Sequence, residues 1–195
     1  MEDDYDSEFR YDGPPLTALA GLDGNDRVIY LGTFSKTLFP GLRLAFAVLP
    51  EVALERVIAV RATFDRVPPV FLEGAVADLL ADGTFAAHLR RARARARAGR
   101  DRLAEALAES AGGLLDVGVP AQGLHLLARL PAGVSRDTAQ HIRAEAKVVA
   151  GLVSDTRLTF EGPEGFILGF GGHSLADLTM AAIRLGQAVR SHLEA

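Results

Sequence analysis

Two short apolar runs split by a polar turn constrain the fold of this 195-residue chain more than any other feature. Val28–Phe34 (VIYLGTF) and Arg43–Leu49 (RLAFAVL) are rich in β-branched and aromatic residues, so each predicts a buried strand. Between them stands SKTLFPGL, which carries a Pro-Gly turn. The first run therefore ends directly on Ser35 and Lys36, and Arg43 opens the second. Strands of this kind need cover, and the chain that follows supplies it. Pro50 starts a helix with Glu51 in its first turn and apolar residues at Val52, Leu54, Val57 and Ile58. Pro68-Pro69 breaks that helix. A second helix is expected over about 70–81, ending at Asp82-Gly83. Residues 1–26 read as acidic and turn-rich.

Thr84 opens a long helix to about Glu109, which carries HLRRARARARAGRDRL. Seven arginines within thirteen residues raise the question of nucleic acid. On a helical wheel at about 100° per residue, Phe85, Leu89, Ala92, Ala96, Leu103 and Leu107 share a stripe roughly 80° wide. Arg90, Arg93, Arg97 and Arg100 flank it on one side, and Arg91, Arg95 and Arg102 on the other. This is the pattern of a helix buried along one face with arginines snorkelling beside it. Asp101 lies four residues after Arg97, where the two side chains meet.

Beyond Gly112-Gly113, strands are expected over Leu114–Val119, Leu124–Leu130, Val148–Leu152 and Phe166–Phe170. Helices are expected over Asp137–Lys147 and Leu175–Leu193, the latter capped by Ser174 with Asp177 at its third position. Strands and helices alternate, so the class is α/β or α+β. The boundary between two domains is expected along the arginine helix. With 24% charged residues, 49% apolar residues and a net charge of −4, nothing global argues for nucleic acid or an anionic membrane. The absence of cysteine excludes disulfides and thiolate chemistry. No apolar run approaches the roughly 20 residues that span a bilayer. A cytoplasmic home is the expectation.

The candidate chemistry lies at the first strand end. A lysine there loses water on one side, which favours the neutral amine that attacks carbonyls to form a Schiff base. Thr33 and Ser35 flank Lys36 with hydroxyls, and Arg43 is expected to return to the same mouth. Hydroxyls plus a guanidinium suit a phosphate dianion. A Schiff-base lysine beside a phosphate cup points to pyridoxal 5′-phosphate. That cofactor also needs a carboxylate at its pyridine nitrogen and a donor at its phenolic oxygen. Asp3 and Tyr5 offer these.

The stretches EDDYDSEFRY and VIYLGTFSKTLFPGLRL resemble the fold-type I aminotransferases. They resemble most the aminotransferase-like domain of the MocR group of GntR-type bacterial transcription regulators. FAAHLRR, GLHLLARLP and LGFGG extend the likeness over nearly the whole chain. The resemblance implies an α/β class: a partial fold-type I pyridoxal-phosphate-dependent transferase, with a remnant of the large-domain sheet over 1–95 and a small α/β C-terminal domain over 96–195. It implies that Lys36 bonds the cofactor, that Asp3 pairs with the pyridine nitrogen and Tyr5 with the phenolic oxygen, and that Thr33, Ser35 and Arg43 hold the phosphate. The choice of Asp3 over Asp4 follows the family pattern of acid, one residue, tyrosine.

The resemblance also implies a departure and an absence. Ile167 stands where the family usually carries the arginine that grips a substrate carboxylate. Arg157 is the nearest alternative. His125 and His173 read as structural. The family's earlier large-domain elements and the winged-helix DNA-binding head are not in this chain, as in a truncated or split gene product. Unpaired apolar strand edges are then expected, with weak cofactor binding or none by this stretch alone. The full-length family implies a homodimer. Three readings are open. One is the part of a regulator that senses an amino compound or amino acid through the cofactor; the second is an aminotransferase acting between an amino acid and a 2-oxo acid; the third is a non-functional remnant.

Overall fold

The first sheet is built around β2 (Tyr30–Thr33), the centre of the expected Val28–Phe34 strand. It pairs in parallel with β1 (Glu2–Asp4) and antiparallel with β3 (Ala45–Val48). The computed structural model describes residues 1–64, 70–158 and 162–194. Pro68-Pro69, the expected helix break, lie outside the described residues.

Residues 1–26, expected to be turn-rich, contain the strand β1. Its acids have poor strand propensity, but the backbone is held by pairing. Glu2 N donates to Ile29 O at 2.8 Å. The Glu2 carboxylate in turn accepts from Leu19 N and Ala20 N, at 2.9 and 3.0 Å, at the start of the short helix α1 (Leu19–Leu22). β3 was expected to be buried, yet all four of its residues are exposed. It is an edge strand whose outer side pairs with nothing among the described residues.

The helices follow the sequence closely. α2 (Glu51–Phe64) starts after Pro50 and buries none of its residues. α3 (Val70–Ala81) buries only Val76. α4 (Thr84–Ser110) is entered through Gly83, with Asp82 Oδ1 accepting from Thr84 N at 2.8 Å. The core beside the first sheet gathers Phe34, Leu42 and Val76, with Leu38, Leu44 and Phe85 against them. The Phe34 and Phe85 rings meet edge to face with centroids 5.8 Å apart.

The chain divides into an N-terminal unit, Met1–Arg93, and a C-terminal unit, Ala94–Ala195, so the division falls within α4. The C-terminal unit holds an antiparallel sheet in the order β4 (Asp116–Gly118), β5 (His125–Arg129), β7 (Gly165–Gly169), β6 (Gly151–Leu152). Alternation turns Leu126, Ala128, Phe166 and Leu168 to one face, where all four are buried. α5 (Arg136–Ala146) and α6 (Leu175–Leu193) complete this core with Ile142, Leu185 and Val189. Ser135 and Ser174 cap these helices, each accepting at 3.1 Å from the N–H three residues on.

Two expectations for this unit are corrected. β6 is two residues long rather than five, because only Gly151 and Leu152 find partners on β7. Arg100 does not snorkel. It is 4% exposed, with Nη1 donating to Pro120 O at 2.7 Å and Nη2 2.8 Å from Asp101. A partner twenty residues away holds the guanidinium inside. The pairing of Arg97 with Asp101 is present, at 4.0 Å between exposed side chains. No helix among the described residues is long and apolar enough to cross a membrane.

Candidate functional site

β1 and β2 run parallel, so their carboxyl ends lie at the same edge of the sheet. In open α/β sheets that edge is where ligands bind. The register pairs Asp3 with Leu31 and Asp4 with Gly32. Asp3, Leu31 and Thr33 therefore share one face, and Asp4, Tyr30 and Gly32 the other.

The two acids differ in what occupies them. Asp4 accepts from Tyr30 Oη at 2.7 Å, from Ser7 Oγ at 2.6 Å and from Ser7 N at 3.1 Å. Burial pushes its carboxyl up, but the hydrogen bonds from Ser7 and Tyr30 outweigh burial and hold it below the ordinary aspartate value. Tyr30 moves in the opposite direction: burial, then the Asp4 carboxylate, raise it. Asp4 is thus a structural acceptor on the far face. Asp3 is exposed on the Thr33 face, and Tyr5, also exposed, follows at the end of β1.

The segment after β2 is a tight turn. Thr33 Oγ1 accepts from Ser35 N at 3.1 Å and lies 3.0 Å from Ser35 Oγ, so the two hydroxyls form a fixed pair. Leu38 N donates to Phe34 O at 2.8 Å and closes the turn around Lys36. Thr37 is buried, and His88 Nε2 donates to its carbonyl at 2.7 Å. His88 was not singled out from the sequence. Its contact spans 51 residues, and no local pattern announces it. Phe34 N returns to Leu44 O at 3.1 Å, which ties the far end of the loop back to the strand end.

Lys36 itself is exposed, because it lies past the strand and inside the turn. The desolvation expected at a buried strand end is not supplied by this unit. Arg43 is exposed too, with φ 51° at the end of the 3-10 turn Pro40–Leu42. Thr33, Ser35 and Lys36 are brought together in one turn, Asp3 and Tyr5 stand at the same sheet edge, and Arg43 lies on the loop returning to β3. The arrangement offers an amine, paired hydroxyls, a guanidinium and a carboxylate around one edge.

Arg157 belongs to the C-terminal unit and is used differently. Its guanidinium donates to Gly162 O at 2.9 Å and to Pro163 O. Beside it Glu164 is buried, and its Oε1 accepts from Ser154 N at 3.1 Å and Gly165 N at 2.9 Å. Burial pushes the Glu164 carboxyl up, but these donors and the Arg157 charge outweigh it, leaving it below the ordinary glutamate value. A lowered folded pKa contributes stability above the unfolded value, lost as pH falls through the folded one. Thermal unfolding followed from pH 7 into the acid range should therefore show a loss setting in below about pH 4.3. Glu164→Gln should flatten that part of the curve; an unchanged acid limb would contradict the assignment.

The chain belongs to the family of class I and II aminotransferases, whose model matches residues 5–183. Among its relatives, the HTH-type transcriptional regulator YhdI of Bacillus subtilis (strain 168) is 35% identical over 188 residues, covering 96% of this chain and 40% of that protein. The probable rhizopine catabolism regulatory protein MocR of Rhizobium meliloti is 48% identical over 93 residues, covering 48% of this chain and 19% of that one. Among solved structures, the α-aminoadipate aminotransferase LysN of Thermus thermophilus, complexed with N-(5′-phosphopyridoxyl)-L-leucine, superposes with a TM-score of 0.85 at 28% identity. That match covers 99% of this chain and 50% of LysN. The fold is thus the expected α/β aminotransferase fold in part. The chain spans two fifths of YhdI and half of LysN.

Proposed function

We propose that this chain forms the part of a MocR-type transcription regulator that senses an amino compound through pyridoxal 5′-phosphate. The observation that carries the cofactor is the turn shared by the Thr33–Ser35 hydroxyl pair and the exposed Lys36 amine, with Asp3 free on the same sheet face. Phosphate needs hydroxyl and guanidinium donors, and Thr33, Ser35 and Arg43 supply them. The pyridine nitrogen needs a carboxylate, and Asp3 suits that role better than Asp4, which Ser7 and Tyr30 occupy. Tyr5 would donate to the phenolic oxygen. When bound, the cofactor supplies an electrophilic carbon that reacts with amines and a ring that accepts electrons. The protein's part is to bind it, orient it and present Lys36.

Sensing is favoured over turnover by two findings. Several relatives are regulators by name, among them YhdI and MocR. Arg157, the alternative carboxylate ligand, has its guanidinium engaged with two backbone carbonyls. A second reading, a working aminotransferase, draws on the 2-aminoadipate transaminase of Thermus thermophilus, 42% identical over 80 residues. In either case a homodimer is part of the proposal.

The test is borohydride reduction with pyridoxal phosphate, followed by peptide mapping. Lys36 and Lys147 are the chain's two lysines, so the label has few side chains to choose from. Incubation of the loaded chain with a panel of amino donors and a 2-oxo acid acceptor then separates the two readings: amine-for-amine exchange at the cofactor aldehyde with at most one equivalent of oxo product supports the sensor, and oxo product released over many turnovers supports the enzyme.

A further inference from the structure

The C-terminal unit contains a crevice that the cofactor reading leaves unused. β6 pairs with β7 only through Gly151 and Leu152, opposite Ile167 and Phe166. β7 runs on to Gly169. Phe170 N donates to Leu124 O on the β5 side at 3.0 Å, so by antiparallel alternation the N–H and C=O of Gly169 point away from β5. No described strand stands beside Gly169 on that side. The gap between segment 147–151 and α6 opens a cavity of about 780 Å³, floored by Leu103, Leu107, Leu178 and Leu185. Small-molecule sites commonly measure about 300–1,000 Å³ and are apolar with a few polar groups.

The rim carries two cations against one carboxylate, so its net charge is positive. Lys147 and Arg184 line the cavity and are exposed. Neither side chain has a hydrogen-bond or ion-pair partner among the described residues. The one lining carboxylate, Asp177, accepts from Ser174 Oγ at 2.7 Å as part of the α6 cap. His125 and His173, read as structural from the sequence, are both exposed and line the same space. An apolar pit under two unpartnered cations suits an anion with an apolar tail. A neutral molecule leaves the rim unused, and a cation is repelled by it.

We propose that this crevice binds a small carboxylate with an aliphatic or aromatic tail. The tail lies against Ile167, Leu103 and Leu178, and the carboxylate meets Lys147 and Arg184. No residue of the N-terminal unit takes part, so the inference stands or falls apart from the cofactor site.

Octanoate is the probe, titrated into the full chain while methyl resonances are followed by NMR. Saturable shifts at Ile167 and Leu178 methyls are expected. Octanol, with the same tail and no charge, should bind about tenfold more weakly, the loss of one good charge-assisted contact. The double variant Lys147→Ala/Arg184→Ala should lose affinity by a similar factor, and its remaining methyl spectrum should match the parent because both side chains are exposed. Absence of saturable shifts at those methyls overturns the site. Equal binding of octanol, or undiminished binding of octanoate by the double variant, overturns the carboxylate assignment.

Discussion

Lys36→Ala should remove all borohydride-trapped pyridoxal phosphate from the peptide spanning the β2–β3 loop. In a chain carrying Arg184→Ala, which removes the guanidinium that lines the same cavity as Lys147, the ratio of labelling by pyridoxal phosphate to labelling by pyridoxal should be about tenfold higher at Lys36 than at Lys147, as one charge-assisted phosphate contact would give. The comparison isolates the phosphate, since the two aldehydes differ in that group. Both lysines are exposed, so simple accessibility does not distinguish them. What distinguishes Lys36 is its turn, where the Thr33 and Ser35 hydroxyls stand 3.0 Å apart and Arg43 follows on the same loop. Ser35→Ala and Arg43→Ala should each pull the ratio toward that of Lys147. A ratio equal at the two lysines would remove the phosphate cup from the proposal. Because Lys36 lies on the surface of its unit, its loss should leave the thermal unfolding curve unchanged.

The largest stability effect is expected at Gly186. A Cβ there would stand 2.2 Å from Ser110 Oγ and 2.6 Å from the Ser110 carbonyl carbon. The hydroxyl can rotate aside, but the backbone carbon cannot yield unless α4 and α6 separate. Ser110 Oγ also lies 2.7 Å from Ala106 O and 3.0 Å from Ala182 O, so its proton serves the α4–α6 contact at that point. Leu107, Leu185 and Val189 are buried around this contact. Alanine in a helix interior is favoured over glycine by about 1 kcal/mol. Overpacking of a tight core costs about 1–3 kcal/mol and sometimes more. With backbone as the obstacle the second effect wins by about 1–2 kcal/mol, and Gly186→Ala should lower the midpoint of thermal unfolding by about 2–8 °C. Gly74, in α3, is the control: nothing lies within 4 Å of its Cβ position. Gly74→Ala should hold or slightly raise the midpoint. A Gly186→Ala protein as stable as the parent would mean that the helices do not approach this closely.

The elements legible in the sequence are those with local causes. Ser174 and Asp177 announce the start of α6, and Ser174 Oγ does accept from Asp177 N. The β-branched and aromatic run announces β2, and the apolar stripe of α4 holds through Ala96, Leu103 and Leu107, all buried. What escaped the reading depends on distant partners. β1 is written in acids and becomes a strand because it pairs in parallel with Tyr30–Gly32, with Ile29 accepting its first N–H. Arg100 sits on the flank of the helical stripe, and only the Pro120 carbonyl explains its burial. The occupation of Asp4 depends on Tyr30, 26 residues on, and that pairing bears on which acid remains for a cofactor. Composition and spacing thus picked out the residue types at the candidate site. The division of labour among them, one acid committed and one left open, required the register.

The open edges of the first sheet also have a kinetic meaning. β2 is the one strand of the three with a neighbour on each side, while β1 and β3 each leave a side unpaired among the described residues. In amide hydrogen exchange the protected protons should therefore cluster on Tyr30–Thr33, and those on the outer sides of β1 and β3 should exchange early. Local opening would then begin at the rims and reach the middle last. Lys36 hangs from the carboxyl end of that middle strand, so fluctuation at the edges can release Asp3 while the lysine turn stays anchored.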